Sequence, residues 1–327
     1  MTPAEQANHR LARTITLGVD DAPVEANWTL PHPERYFADC QAAGFTAVRL
    51  AVVWTAHIAD LPTHHVSDSA LDRIASITDA ALDAGLAVVL DNHLDPDLMT
   101  DPARHRDRLI AIAGQVATRF RNAPPAVVLE PLAEPRAALD AVWNQYAADL
   151  ISTVRAADPD RTLIVGPPFY NTVMGLEHFR PPDDYNLILS IHQYWPIRFT
   201  MQGEQWLSAE PGWQGLGGGG PDDWIGTTWS DTPAEHGELA VGFQRVAQWA
   251  TERQLPVFLG EFGCTPQADP DSRVAWVRTN RLLAEQHGFS WGWWSFAPHF
   301  ALYDVVAQRW DERVLAALMD PSLEARR

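Results

Sequence analysis

The chain has 327 residues, 46% of them hydrophobic, and carries 24 basic against 42 acidic side chains for a formal net charge of −18. That length suits one large barrel or two ordinary domains, and the charge has the wrong sign for gripping a phosphate backbone or an anionic bilayer. Lysine is absent, which excludes Schiff-base catalysis and a Walker-type phosphate loop, both of which need its amine.

In chain order, short apolar runs predict eight strands: Thr14–Asp20, Ala47–Val53, Ala87–Asp91, Ala126–Leu132, Thr162–Gly166, Leu187–His192, Pro256–Glu261 and Phe289–Phe296. Several are near-continuous Val/Leu/Ile runs, as expected of strands buried on both faces. Amphipathic helices are predicted between them at Ser69–Ala84, Pro102–Phe120, Leu139–Ala156, Ala234–Arg253 and Asp271–His287, with Arg309–Met319 closing the chain. The alternation of strand and helix with right-handed crossovers predicts a (β/α)₈ TIM barrel, a single domain over residues 1–327. One stretch breaks the rhythm. Residues 195–234 carry Trp195, Trp206, Trp213, Trp224, Trp229 and the run Gly217-Gly218-Gly219-Gly220. A connection this long after strand six is expected to lie over the catalytic face as a wall of a cleft or as a stapled surface excursion.

Two carboxylates end apolar runs: Glu134 in Val127-Val128-Leu129-Glu130-Pro131-Leu132-Ala133-Glu134 and Glu261 in Pro256-Val257-Phe258-Leu259-Gly260-Glu261. A parallel barrel delivers acids to its mouth in this way, and two facing carboxylates are the minimum for cleaving a glycosidic bond. Arg49 lies inside the second strand, where a buried guanidinium needs a carboxylate partner. It fits either a structural ion pair or a group that keeps Glu261 ionised. His93 follows strand three, His192 and Tyr194 follow strand six, and Trp294 belongs to strand eight. All converge on one mouth, placed to hydrogen-bond and stack against a sugar. The histidines His57, His64, His65 and His93 form no ligand spacing, so neither metal nor cofactor is predicted. Cys40 and Cys264 are expected to be free buried thiols. With no secretory pattern in Met1-Thr2-Pro3-Ala4-Glu5-Gln6, a cytoplasmic location is expected, a secreted mature form remaining open. Oligomeric state is not legible.

These motifs, in this order, resemble glycoside hydrolase family 5, the cellulase-like barrels. They are Val48-Arg49-Leu50, Asp91-Asn92-His93, Leu129 to Pro135, His192-Gln193-Tyr194, Gly260-Glu261-Phe262-Gly263 and Trp293-Trp294. The resemblance implies a retaining β-glycosidase with Glu134 as acid/base and Glu261 as nucleophile, Arg49, His93, His192, Tyr194 and Trp294 shaping the subsite, and a glucoside, mannoside or oligosaccharide as substrate. The chain departs from the family pattern at two places. Ala133 stands where the family carries an asparagine, and Met201 where many relatives carry a histidine. Two alternatives follow from these departures: a non-hydrolytic acid/base enzyme (isomerase, cyclase or dehydratase) of small-molecule biosynthesis, or a carbohydrate-binding protein with weakened catalysis.

Overall fold

The computed structural model describes residues 1–19, 29–60, 63–93, 95–209 and 218–320. Eight parallel strands form its centre: β1 (Arg13–Val19), β2 (Ala47–Val52), β3 (Ala87–Asn92), β4 (Val127–Glu130), β5 (Leu163–Val165), β6 (Leu187–Gln193), β7 (Val257–Phe262) and β8 (Ser290–Trp293). Each pairs with its successor, and β8 returns to β1 through Arg13↔Trp291, Thr14↔Gly292 and Ile15↔Trp293, which closes the barrel. The predicted Asp20, Trp213 and Gly217 lie outside the described residues.

The longer helices are α1 (Pro3–Arg10), α2 (Phe37–Ala42), α3 (Asp68–Asp83), α4 (Pro102–Phe120), α5 (Trp143–Ala157), α6 (Pro233–Thr251), α7 (Pro270–Gln286) and α8 (Glu312–Met319), with single-turn helices at Pro96–Thr100 and Ile197–Thr200. Their starts have a local cause. Asp101, Thr232 and Asp269 each accept a backbone N–H of the first turn, and each is followed by a proline at the first helical position. The side chain satisfies an orphan donor while the proline has none to lose. Among the described residues, the crossover from β5 to β6 holds only a 3₁₀ turn, Val173–Glu177. The helix expected from Arg309 begins at Glu312 instead. Arg309–Trp310 pairs antiparallel with Tyr303–Asp304.

Side chains alternate across the barrel wall. The outward set, including Ile15, Leu50, Val88, Leu129, Leu189 and Leu259, joins the helices in the main core. The inward set at the bottom is a second cluster: Ala47, Ala87, Val89, Val128, Ile164, Ile188 and Phe258, capped by Ala4, Ala7 and Leu11 at α1. Asn8 fastens this stopper, donating to the Val257 carbonyl at 3.1 Å and accepting from Ser290 Oγ at 2.6 Å. Apolar packing therefore fills the lower barrel, and the polar inward residues gather in the upper half.

Candidate active site

Arg49 sits one inward position above Ala47 on β2 and is fully buried. Three carboxylates hold its guanidinium: Nε lies 2.8 Å from Glu130 Oε2, Nη2 2.9 Å from Asp91 Oδ2, and Nη1 2.6 Å from Glu261 Oε1. Burial opposes the charge on Arg49, but Asp91, Glu130 and Glu261 outweigh it and keep the group protonated well beyond its ordinary range. One cation faces three acids, and the excess shows on the acids. Burial pushes Asp91 up to about 7, against the pull of Arg49 and with help from Glu134. Burial also raises Glu130, which Arg49 again opposes.

Glu261 reaches this centre through a break in β7. Phe258 points inward and Leu259 outward, so strict alternation would aim Gly260 into the barrel and Glu261 away from it. The register against β6 slips between Leu259↔Ile191 and Glu261↔His192, leaving Gly260 as an extra residue. This bulge resets the phase and turns the carboxylate inward. Only glycine fits: a Cβ at Gly260 would stand 2.4 Å from Ser190 Oγ. Tyr194 then donates its hydroxyl to Glu261 Oε2 at 3.0 Å, so Arg49 and Tyr194 each hold one oxygen of this carboxylate.

Glu134 arrives differently from the sequence expectation. β4 stops at Glu130, and Glu134 lies in the loop beyond it. Pro131 supplies no N–H to continue the ladder, and Glu134 itself turns in the left-handed region at φ 49°. Its Oε1 lies 2.8 Å from His192 Nδ1, which is also 3.5 Å from Glu261 Oε2. The donor atoms of Glu134, His192 and Glu261 all fall within 4.8 Å of one another, the one such group among the described residues. Three donors at this spacing can share a metal or a proton. The hydrogen bond already made by His192 and the guanidinium beside Glu261 favour the proton.

Both histidines are neutral at ordinary pH. Burial lowers His192 to about 4 and His93 to about 4, in each case against the raising influence of Glu261. His93 Nδ1 lies 2.7 Å from Asp91 Oδ2, and its ring stacks on Trp294 at 4.7 Å and 15°. Burial and the two glutamates push the Tyr194 hydroxyl well above the usual phenol range, so it stays a donor.

The loop after β6 closes one side. Tyr194, Ile197, Met201, Leu207 and Trp224 form an apolar cluster with Ala51, Trp294 and Phe300. Met201 thus packs in this wall. Trp229 is buried in the main core, whereas Trp195 and Trp206 are exposed. Ala133 is fully buried, its N–H donating to the Asn92 carbonyl at 3.1 Å. Sequence reasoning did not single out Asp91, Glu130 or Asn171. A signal existed for the first two: a buried arginine needs counter-charges, and Asp91 and Glu130 are cross-strand partners on the inward face.

The family model "Cellulase (glycosyl hydrolase family 5)" matches residues 18–300. The chain belongs to glycosyl hydrolase family 5. Members of this family are retaining β-glycoside hydrolases. Endoglucanase H of Acetivibrio thermocellus is 27% identical over 308 residues, 92% of this chain and 32% of that protein. Endoglucanase A of Ruminococcus albus is 25% identical over 293 residues, 83% of this chain and 75% of that protein. The Thermotoga maritima Cel5A structure in complex with cellobiose superposes with a TM-score of 0.89 at 29% identity, covering 97% of this chain and 100% of that one. The same enzyme's complex with mannotriose gives a TM-score of 0.88 at 29% identity over the same shares. The chain spans about a third of the length of the Acetivibrio thermocellus relatives it matches.

Proposed function

We propose that this chain hydrolyses a β-linked glucoside, mannoside or oligosaccharide with retention, Glu261 attacking the anomeric carbon and Glu134 serving as acid and then base. The spacing of the two carboxylates carries the reading: their oxygens lie within 4.8 Å, near the roughly 5–5.5 Å of double displacement and short of the separation that admits a water between acid and base. The environments support the division of labour. Glu261 is held at both oxygens by Arg49 and Tyr194, which stabilises the negative charge a nucleophile needs. Glu134 faces a neutral imidazole, its Oε1 lying 2.8 Å from His192 Nδ1. In the first step it would protonate the leaving oxygen as Glu261 forms the glycosyl ester. In the second, the same carboxylate would deprotonate the water that releases the sugar. His93, Trp294 and Tyr194 surround the space where the cleaved sugar would lie.

The cellobiose and mannotriose complexes of the Thermotoga maritima enzyme support the choice of sugars. The test is a panel of aryl β-glycosides and β-glucan and β-mannan oligosaccharides, with the anomer of the first product followed by NMR. A β-configured first product is expected, and Glu261→Gln should lower turnover by more than about 10³-fold. Inversion, or no turnover of any β-glycoside by folded protein, overturns the reading.

A further inference from the structure

His192 Nδ1 lies within reach of both glutamates, and a second residue grips the ring from behind. Asn171 is fully buried, and its carbonyl accepts the His192 N–H at 2.9 Å. Its side-chain Nδ2 lies 3.4 Å from His192 Nε2. Its Oδ1 makes no hydrogen bond among the described residues. The chain is contorted to put the amide there. Phe169, Tyr170 and Asn171 run through three successive left-handed conformations, φ 59°, 60° and 55°, a region that asparagine tolerates and aromatic residues rarely adopt. Room is cleared by Gly166, where a Cβ would fall 2.4 Å from the Asn171 amide carbon. The turn is also tied to the loop bearing Glu134: Tyr170 N–H donates to the Pro135 carbonyl at 3.0 Å, and Phe169 N–H to Asp140 Oδ1 at 2.7 Å.

We infer that Asn171 is a positioning residue that locks His192 in its Nδ1–H tautomer, so that the acid proton of Glu134 is kept for the substrate and not surrendered to the imidazole. The inference rests on the reading of Glu134 as acid/base. A neutral imidazole has one proton and one lone pair. Amide donation to Nε2 fixes the lone pair there, and Nδ1–H then points at Glu134 Oε1 and Glu261 Oε2. In the opposite tautomer, Nδ1 would accept a proton from Glu134, and the carboxyl hydrogen needed by the leaving group would be tied up. The charged and titratable groups acting on His192 are Glu134 and Glu261, together with Arg49, Glu130 and His93. The Asn171 amide lies on the Nε2 side, where the backbone of Gly260 also approaches the ring.

The test uses the whole folded chain labelled with ¹⁵N-histidine. In the wild type, long-range proton–nitrogen correlation should show His192 protonated at Nδ1 and bare at Nε2. Two variants remove the amide by independent routes. Asn171→Gly keeps the left-handed turn but deletes the side chain, and Gly166→Ala displaces the amide without altering Asn171. Both should shift His192 towards Nε2–H and lower kcat by about 10²-fold with KM within about threefold, since a wrong tautomer costs up to about 10⁴-fold in a catalytic triad. Asn171→Asp donates only while protonated, so its kcat relative to wild type should rise as pH falls from about 7 to about 5. Nε2 protonation in the wild type, or a kcat loss with the tautomer unchanged in both variants, overturns the inference. Because the nitrogen spectrum is read without substrate, an inactive wild type with an Nδ1–H His192 would count against the proposed hydrolysis and leave the tautomer lock standing.

Discussion

Glu134 and Glu261 are chemically identical side chains with different neighbours. Glu261 is bound at 2.6 Å by Arg49 and at 3.0 Å by Tyr194, whereas Glu134 is met at 2.8 Å by His192. An acid matters in proportion to how badly the leaving group needs a proton. Glu134→Gln should therefore slow hydrolysis of an alkyl β-glycoside or a disaccharide by about 10³-fold, yet slow a dinitrophenyl β-glycoside much less in the first step. Pre-steady-state release of the phenol checks this, and equal losses on both substrates contradict the assignment. Asp91 supplies a pH signature at the same scale. Its folded carboxyl is raised to about 7 from an ordinary 3.8, with burial as the main cause. The folded state thus holds that proton more tightly than the unfolded chain. The resulting stability is complete below the unfolded value and is lost as pH rises through about 7, on the order of 4 kcal/mol. His93 and His192, lowered to about 4 from 6.5, act oppositely: their contribution is full above the unfolded value and disappears as pH falls through about 4. Denaturation series at pH values from about 5 to about 8 should show wild type losing ground to Asp91→Asn as pH rises. A constant gap between the two would contradict the raised carboxyl.

At the scale of elements, the strands were legible because a parallel barrel demands apolar runs, and the chain supplies them in Val48, Val88, Val128 and Ile188. Their ends were not. Periodicity extends β4 through Leu132, but Pro131 cannot donate to the ladder and β4 stops at Glu130. Likewise β8 ends at Trp293, short of the expected Phe296. The consequence matters most in β7, where alternation alone would aim Glu261 outward. A slip at Gly260 is a packing event with no periodic signature, although a glycine inside a strand is a hint. Gly260→Ala should force its methyl against Ser190 Oγ, 2.4 Å from the ideal position. Overpacking of this kind costs about 1–3 kcal/mol, and the displaced Glu261 should lower kcat by about tenfold or more. Urea unfolding and steady-state kinetics on the same preparation check both halves.

For the whole molecule, eightfold alternation and the lysine-free acidic composition already pointed to one barrel and away from nucleic acid. The family resemblance then carried most of the site, because its motifs fall at strand ends in a fixed order. What escaped was the company that residues keep across the barrel. Arg49 was expected to have one carboxylate partner, and it has three, from β3, β4 and β7. Sequence spacing holds no record of how many inward positions meet at one height. Arg49→Met should accordingly destabilise the fold by about 3–5 kcal/mol, the cost of leaving buried charge without its partner. Chemical denaturation measures it, and a loss below about 1 kcal/mol would mean that the network relaxes by taking up protons.

The stopper formed by α1 has a practical corollary. Met1 is 87% exposed and adjoins the helix whose Ala4 and Ala7 plug the barrel floor, while both glutamates belong to the opposite rim. Anything fused ahead of Met1, whether an affinity handle, a scaffold-docking module or a solid support, would therefore hang below the barrel. A bead tethered there would leave the entrance facing open solution.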